Sequence, residues 1–153
     1  MTTNDVLRRV RFIGNYSDQD MVALYQHTEV SVTTSQIQRW LKQDDDPAFV
    51  VLADSELASF LNGLIIEKRG KREGPLPVPE QLLTNNLILQ KLKIAFGLNS
   101  DAILAMLKSV NMPMSPHELS AFFRKPGHRH YRPMLDQFLR NFLRALQKRE
   151  TGK

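Results

Sequence analysis

Sliding this sequence along itself by 82 positions aligns its two halves without a gap. Thr2, Asn4 and Leu7 fall on Thr84, Asn86 and Leu89. Asp54, Leu57, Phe60, Leu61 and Leu64 fall on Asp136, Leu139, Phe142, Leu143 and Leu146. Other pairs exchange apolar residues of similar size, among them Val6/Ile88, Val10/Leu92, Met21/Ile103, Ile37/Leu119 and Trp40/Phe122. Apolar positions persist while surface positions drift, as expected when one packing scheme is used twice. The chain is therefore read as two similar modules, residues 1–70 and 85–153. Between them, residues 71–84 carry Pro75, Pro77 and Pro79 at every second position. Proline lacks an amide donor and fixes φ, so this stretch is expected to run extended as a semi-rigid linker.

Within each module the apolar spacing is helical. Val6, Leu7, Val10 and Ile13 line one face, as do Leu89, Leu92 and Phe96 in the copy. Ser17 and Asp20 have capping-box spacing, which starts a second helix at Asp18 that runs to Gln26; its copy covers Asp101 to Lys108. Thr33 with Gln36, and Ser115 with Glu118, are capping boxes at the same offset. Pro116 sits at the first helical position, where its missing donor is harmless. These start a third helix whose Ile37, Trp40 and Leu41, and in the copy Leu119, Phe122 and Phe123, are expected to face inward. A fourth helix carries Leu57, Phe60, Leu61 and Leu64 and ends near Gly70, with Lys68 and Arg69 favourably placed at its C-terminal end. No segment alternates with period two. The predicted fold is all-α, with four or more helices in each repeat and the two repeats packed together.

Composition adds bounds. At 153 residues with 42% apolar and 24% charged residues, the chain suits a soluble globular protein. The absence of cysteine excludes disulfides, thiolate metal sites and a cysteine nucleophile. No apolar run is long enough to cross a bilayer, and MTTNDVLRR does not resemble a signal peptide, so a cytoplasmic address is expected. The net charge of +5 is unevenly placed. Residues 1–67 hold 5 basic and 10 acidic groups, residues 68–84 hold 4 and 2, and residues 85–153 hold 12 and 4. An acidic first repeat and a strongly basic second one point to polyanion binding or to charge-complementary docking. Solvation of exposed helix faces is the ordinary alternative.

SFLNGLIIEKRGK from Ser59 to Lys71, NNLILQKLKIAFGLNSDAIL from Asn85 to Leu104 and DQFLRNFLRAL from Asp136 to Leu146 resemble the YehS-like family of small bacterial proteins. The resemblance extends over nearly the whole chain. It implies a two-repeat cytoplasmic protein carrying a domain of unknown function, and it supplies no catalytic residue.

The residues offer no catalytic site. There is no G-x-S-x-G elbow, no phosphate-binding G-x-x-x-x-G-K-[ST] loop and no G-x-G-x-x-G turn. His128 and His130, with Asp136 as a third ligand, could be read as a metal site, but Lys125, Arg129 and Arg132 crowd it with positive charge. Asp44-Asp45-Asp46 lacks calcium-loop spacing and reads as a solvated loop, whose repeat equivalent is Pro126-Gly127-His128 followed by Arg129. The second and third helices resemble a helix-turn-helix only loosely, because HTEVSVT is longer than the usual turn. No cofactor or metal is expected.

Two features remain. Arg140, Arg144 and Lys148 form an i, i+4, i+8 stripe whose first-repeat equivalents are Ala58, Asn62 and Ile66. With Arg129, Arg132, Lys68 and Arg69 they are the candidate polyanion contacts, or else a solubilising surface. Gly63 lies inside a helix where the copy has Ala145, and Ala58, Ser59 and Asn62 beside it leave a small face. That face is expected to pack against the other repeat. The expected role is a non-enzymatic binding module, with nucleic acid the first partner to test. An adaptor binding an acidic protein or another copy of itself is the alternative.

Overall fold

The computed structural model describes all 153 residues as eight α-helices and no strand. The chain divides into two compact units, Met1–Leu83 and Thr84–Lys153. In the first unit the helices are α1 (Thr3–Gly14), α2 (Asp18–Gln26), α3 (Thr34–Leu41) and α4 (Asp54–Arg69). In the second they are α5 (Asn85–Ala95), α6 (Ser100–Ser109), α7 (Pro116–Ala121) and α8 (Asp136–Thr151). Each unit is all-α with four helices, and the second repeats the first.

The helix starts follow the local chemistry of their caps. Thr2, Ser17 and Thr33 accept a hydrogen bond from the third backbone amide of α1, α2 and α3. Thr84, Asn99 and Ser115 do the same for α5, α6 and α7, each at the equivalent position. Reciprocal bonds from the third residue are made by Asp5, Asp20 and Gln36 in the first repeat, but only by Glu118 among these starts in the second. Those bonds hold the Asp20 and Glu118 carboxyls below the usual carboxylate range, chiefly through the Ser17 and Ser115 backbone amides. Left-handed backbone also recurs in register. Asn15 and Gly97 end the first helix of each repeat at φ 53° and 62°, and Glu29 and Asn111 follow the second, both at φ 60°.

In each unit the second and fourth helices make the broadest helix–helix contact. The cores match pairwise. Leu7, Val10, Met21, Ile37, Leu57, Phe60, Leu61 and Leu64 are buried, and so is each of their equivalents in the second repeat. The largest fully buried side chain of the first core is Tyr25, whose ring lies 5.8 Å from Trp40 and 5.7 Å from Phe60, and whose hydroxyl donates to Glu56 O at 2.9 Å. Leu107 takes its place in the second core. Leu41, the last residue of α3, and Phe123, two residues past the end of α7, both expected to face inward, are only half-buried.

Gly63 has its close neighbour within its own repeat. A Cβ there would lie 2.0 Å from the carbonyl oxygen of Leu24, so the close approach that its missing side chain permits is to α2 of its own repeat. Ala58, Ser59 and Asn62 are buried, as are all residues from Leu57 to Leu64. The missing side chain of Gly63 therefore serves packing within the first repeat. The end of the proline-rich segment is also fastened locally, because the Leu83 amide donates to Asp54 Oδ2 at 2.8 Å.

Candidate functional site

The site is built on the segment that joins the third and fourth helices of each repeat. One buried asparagine fixes that segment. Asn4, on α1, donates from Nδ2 to Trp40 O at 2.9 Å and Val50 O at 3.0 Å, and its Oδ1 accepts from the Leu52 amide at 3.0 Å. Asn86, on α5, donates to Phe122 O at 3.0 Å and Arg132 O at 2.8 Å, and accepts from the Met134 amide at 2.8 Å. Every partner lies 82 residues from its counterpart. These bonds satisfy backbone groups that would otherwise be orphaned under a loop.

The loops so held have the same backbone. The Asp46 amide bonds Gln43 O and the Phe49 amide bonds Asp46 O; in the second repeat the His128 amide bonds Lys125 O and the Tyr131 amide bonds His128 O. The side chains between them differ in charge. Asp44, Asp45 and Asp46 mark the first loop. The second presents Arg124, Lys125, Arg129 and Arg132, all exposed, and no carboxylate occurs from Leu119 to Leu135. His117, His128 and His130 gather beside them, with ring centroids 6.1 Å apart for His117–His130 and 5.4 Å for His128–His130. His130 Nε2 accepts from Arg129 Nε at 3.2 Å. Asp136 is not with them: its Oδ1 accepts from Asn85 Nδ2 at 2.8 Å. No group of three His, Asp or Glu side chains is close enough together to hold a metal ion.

The arginine–lysine stripe is only partly free. Arg144 donates to Val110 O at 3.2 Å and Lys148 to Ser109 O at 3.2 Å, so both cations cap the C-terminal end of α6. A cation there satisfies carbonyls that have no intrahelical partner and complements the helix dipole. Arg140 is exposed. Lys68 and Arg69 lie exposed in the last turn of α4, in the other repeat from the basic loop.

Beside the basic loop is a groove of about 470 Å³ lined by Gln90, Lys93 and Ile94 of α5, Ser100 at the start of α6, and Ser120, Phe123 and Arg124 around the end of α7. The Lys93 ammonium lies 5.6 Å from the centre of the Phe123 ring. None of the groove residues carries a negative charge. Sequence reading missed this constellation and the two asparagines. The asparagines had a signal, since Asn4 shares a helix face with Leu7 and is identical in both copies. The groove had one too, in the loss of an acid between Asp18 and Ser100 while Arg11 and Lys93 both stay basic.

The profile of a family described as a protein of unknown function, DUF1456, matches residues 3–70 and again 85–152. The chain belongs to this family. A relative, the uncharacterized protein YehS of Escherichia coli (strain K12), is 44% identical over 154 residues, covering 100% of this chain and 99% of its own length. The two family matches coincide with the four-helix repeats, so the DUF1456 unit is one such repeat and this chain holds two. No solved structure matches. No helix is long and apolar enough to cross a membrane.

Proposed function

We propose that this DUF1456 protein is a non-enzymatic intracellular nucleic-acid-binding module that makes its contact through the second repeat. The observation that supports the reading is the loop 124–132. Its four cations have no carboxylate neighbour in sequence, while a loop of the same backbone in the first repeat is acidic. The fold therefore does not need the charges of Lys125, Arg129 and Arg132, whose counterparts are Gln43, Pro47 and Val50. Cations held apart from acids on an exposed loop attract phosphates and release counterions when they bind. Arg140 extends the basic surface, whereas Arg144 and Lys148 already serve α6.

The test is fluorescence anisotropy with a single-stranded and a duplex oligonucleotide across salt. Neutralising about four phosphates on a single strand gives a log–log salt slope near −3. Replacing Arg129 and Arg132 together by Gln is expected to flatten that slope and weaken binding with the melt unchanged. Absent binding at low salt, or binding indifferent to the double variant, overturns the reading. A second reading has its own support: two loops of one shape and opposite charge suit salt-sensitive association between copies of the chain. Sedimentation that depends on protein concentration and salt, with no affinity for oligonucleotides, would favour it.

A further inference from the structure

Placing each groove residue beside its counterpart 82 positions earlier uncovers a substitution at the centre. In the first repeat the position of Ser100 is held by Asp18. Its carboxylate takes Arg11 at 3.3 Å and the side-chain amide of Gln38 at 3.1 Å. Arg11 corresponds to Lys93 and Gln38 to Ser120. Arg8, the counterpart of Gln90, is also spoken for by Asp5 at 2.6 Å and by Lys42 O at 2.6 Å. The first repeat thus carries its own anion, seated among its own donors.

The second repeat keeps the donors and lacks the anion. The Lys93 ammonium lies over the Phe123 face, and no acidic residue lines the groove beside it or Arg124. Ser100, Ser120 and Gln90 add hydroxyl and amide groups to the same groove. Asp101, the neighbouring acid, does not line it. We infer that this groove is a phosphate-binding site, in which a phosphoryl group from a ligand takes the place that the Asp18 carboxylate fills in the first repeat. Two uncompensated cations match a phosphate dianion better than a single carboxylate charge, and an arginine with serine hydroxyls is a common set of phosphate donors. The volume exceeds what one phosphate needs, and the half-buried Phe123 ring beside Ile94 gives a nucleoside an apolar wall to lie against. For the source of the phosphate the inference rests on the nucleic-acid reading above; for the chemistry of the groove it stands alone. The sources are a free phosphate ester and a nucleotide unit within a strand.

The decisive variant is Ser100→Asp, which gives the second repeat the internal carboxylate of the first. The full chain is titrated with inorganic phosphate, adenosine monophosphate and oligothymidylate, following amide shifts by NMR. Expected for the unaltered protein are phosphate-induced shifts at residues 93, 100, 120 and 124. Ser100→Asp is expected to weaken phosphate and monophosphate binding by about tenfold or more, because the new carboxylate competes for the same charge-assisted bonds. Its thermal melt should be no lower than that of the parent. Arg124→Gln, an exposed change, is expected to weaken phosphate in the same direction. Equal phosphate affinity in Ser100→Asp, or no shifts in these residues at millimolar phosphate, overturns the site. Loop-dependent oligonucleotide binding would survive that result, so the two readings fail separately. If Ser100→Asp weakens oligothymidylate together with phosphate, the groove takes a nucleotide of the strand. If only phosphate and monophosphate weaken, it takes a free phosphate ester.

Discussion

In the first repeat Asp18 draws Arg11 and Gln38 onto itself, and in the second Ser100 leaves Lys93 and Arg124 facing a groove with no acid in it. Beneath these two surfaces Asn4 and Asn86 make the same three hydrogen bonds to equivalent backbone atoms. Neighbouring positions show the same split. Thr3 Oγ1 donates to Leu52 O at 2.7 Å, and Asn85 does the same job to Met134 O at 2.9 Å with a different side chain. What closes the fold is retained between repeats as a bond, even when the residue changes. What faces solvent changes sign. A charge difference this large between surfaces on one framework marks the framework as structural and the surface as the place where the repeats diverged in charge.

The comparison can be broken most severely at the asparagines. Asn4→Ala and Asn86→Ala each leave one buried carbonyl, one part-buried carbonyl and one buried amide without their partners, at about 1–3 kcal/mol for each unsatisfied buried group. Both variants are expected to lose about 3 kcal/mol or more, and by similar amounts. Chemical denaturation followed separately in each repeat by NMR would check it; a harmless substitution in either repeat would show that its loop is held by something else.

Gly63 and Ala145 sharpen the comparison from the other side. Helix propensity alone says that Gly63→Ala should stabilise by up to about 1 kcal/mol. The Leu24 carbonyl in the way reverses the sign, and overpacking of about 1–3 kcal/mol is expected instead. In α8, Ala145→Gly is expected to cost about 1 kcal/mol or somewhat more, from propensity and a lost buried methyl. Thermal melts of the pair decide whether the second and fourth helices are closer in the first repeat.

Exchanging surface while leaving framework gives a smaller change in stability and a larger one in binding. Replacing Pro126, Gly127 and His128 by three Asp copies the acidic loop onto the basic one. A Cβ at Gly127 meets nothing within 4 Å, so the melt should move by no more than about 0.5 kcal/mol. Oligonucleotide affinity, measured at low salt, should fall sharply. Retained affinity would remove loop 124–132 from the contact surface.

The smallest expected effect is on pH dependence. The Asp20 and Glu118 carboxyls titrate below their ordinary values when folded, because they accept cap hydrogen bonds. A group with a depressed folded pKa contributes stability above its unfolded value, and that contribution is lost as pH falls through the folded one. Melting temperature should therefore drop below about pH 4.5. Asp20→Asn is expected to blunt the drop while leaving the neutral melt slightly lowered; an unchanged acid profile would remove this cap from the account.

The sequence by itself determined the repeat, the eight helices and most of their starts, because caps, prolines and 3.6-residue periodicity act within a few residues of chain. It determined the charge asymmetry as well. The tertiary structure alone decided what was made of them. The bonds of Asn4 join residues 36 to 48 positions apart, Gly63 meets Leu24 across two helices, and the groove gathers residues from Gln90 to Arg124. Nothing in local spacing encodes such meetings, since they depend on how packed helices bring distant side chains to one place. The same holds for Arg144 and Lys148, which look like a free basic stripe along the sequence and prove to cap a neighbouring helix once α8 is laid against α6.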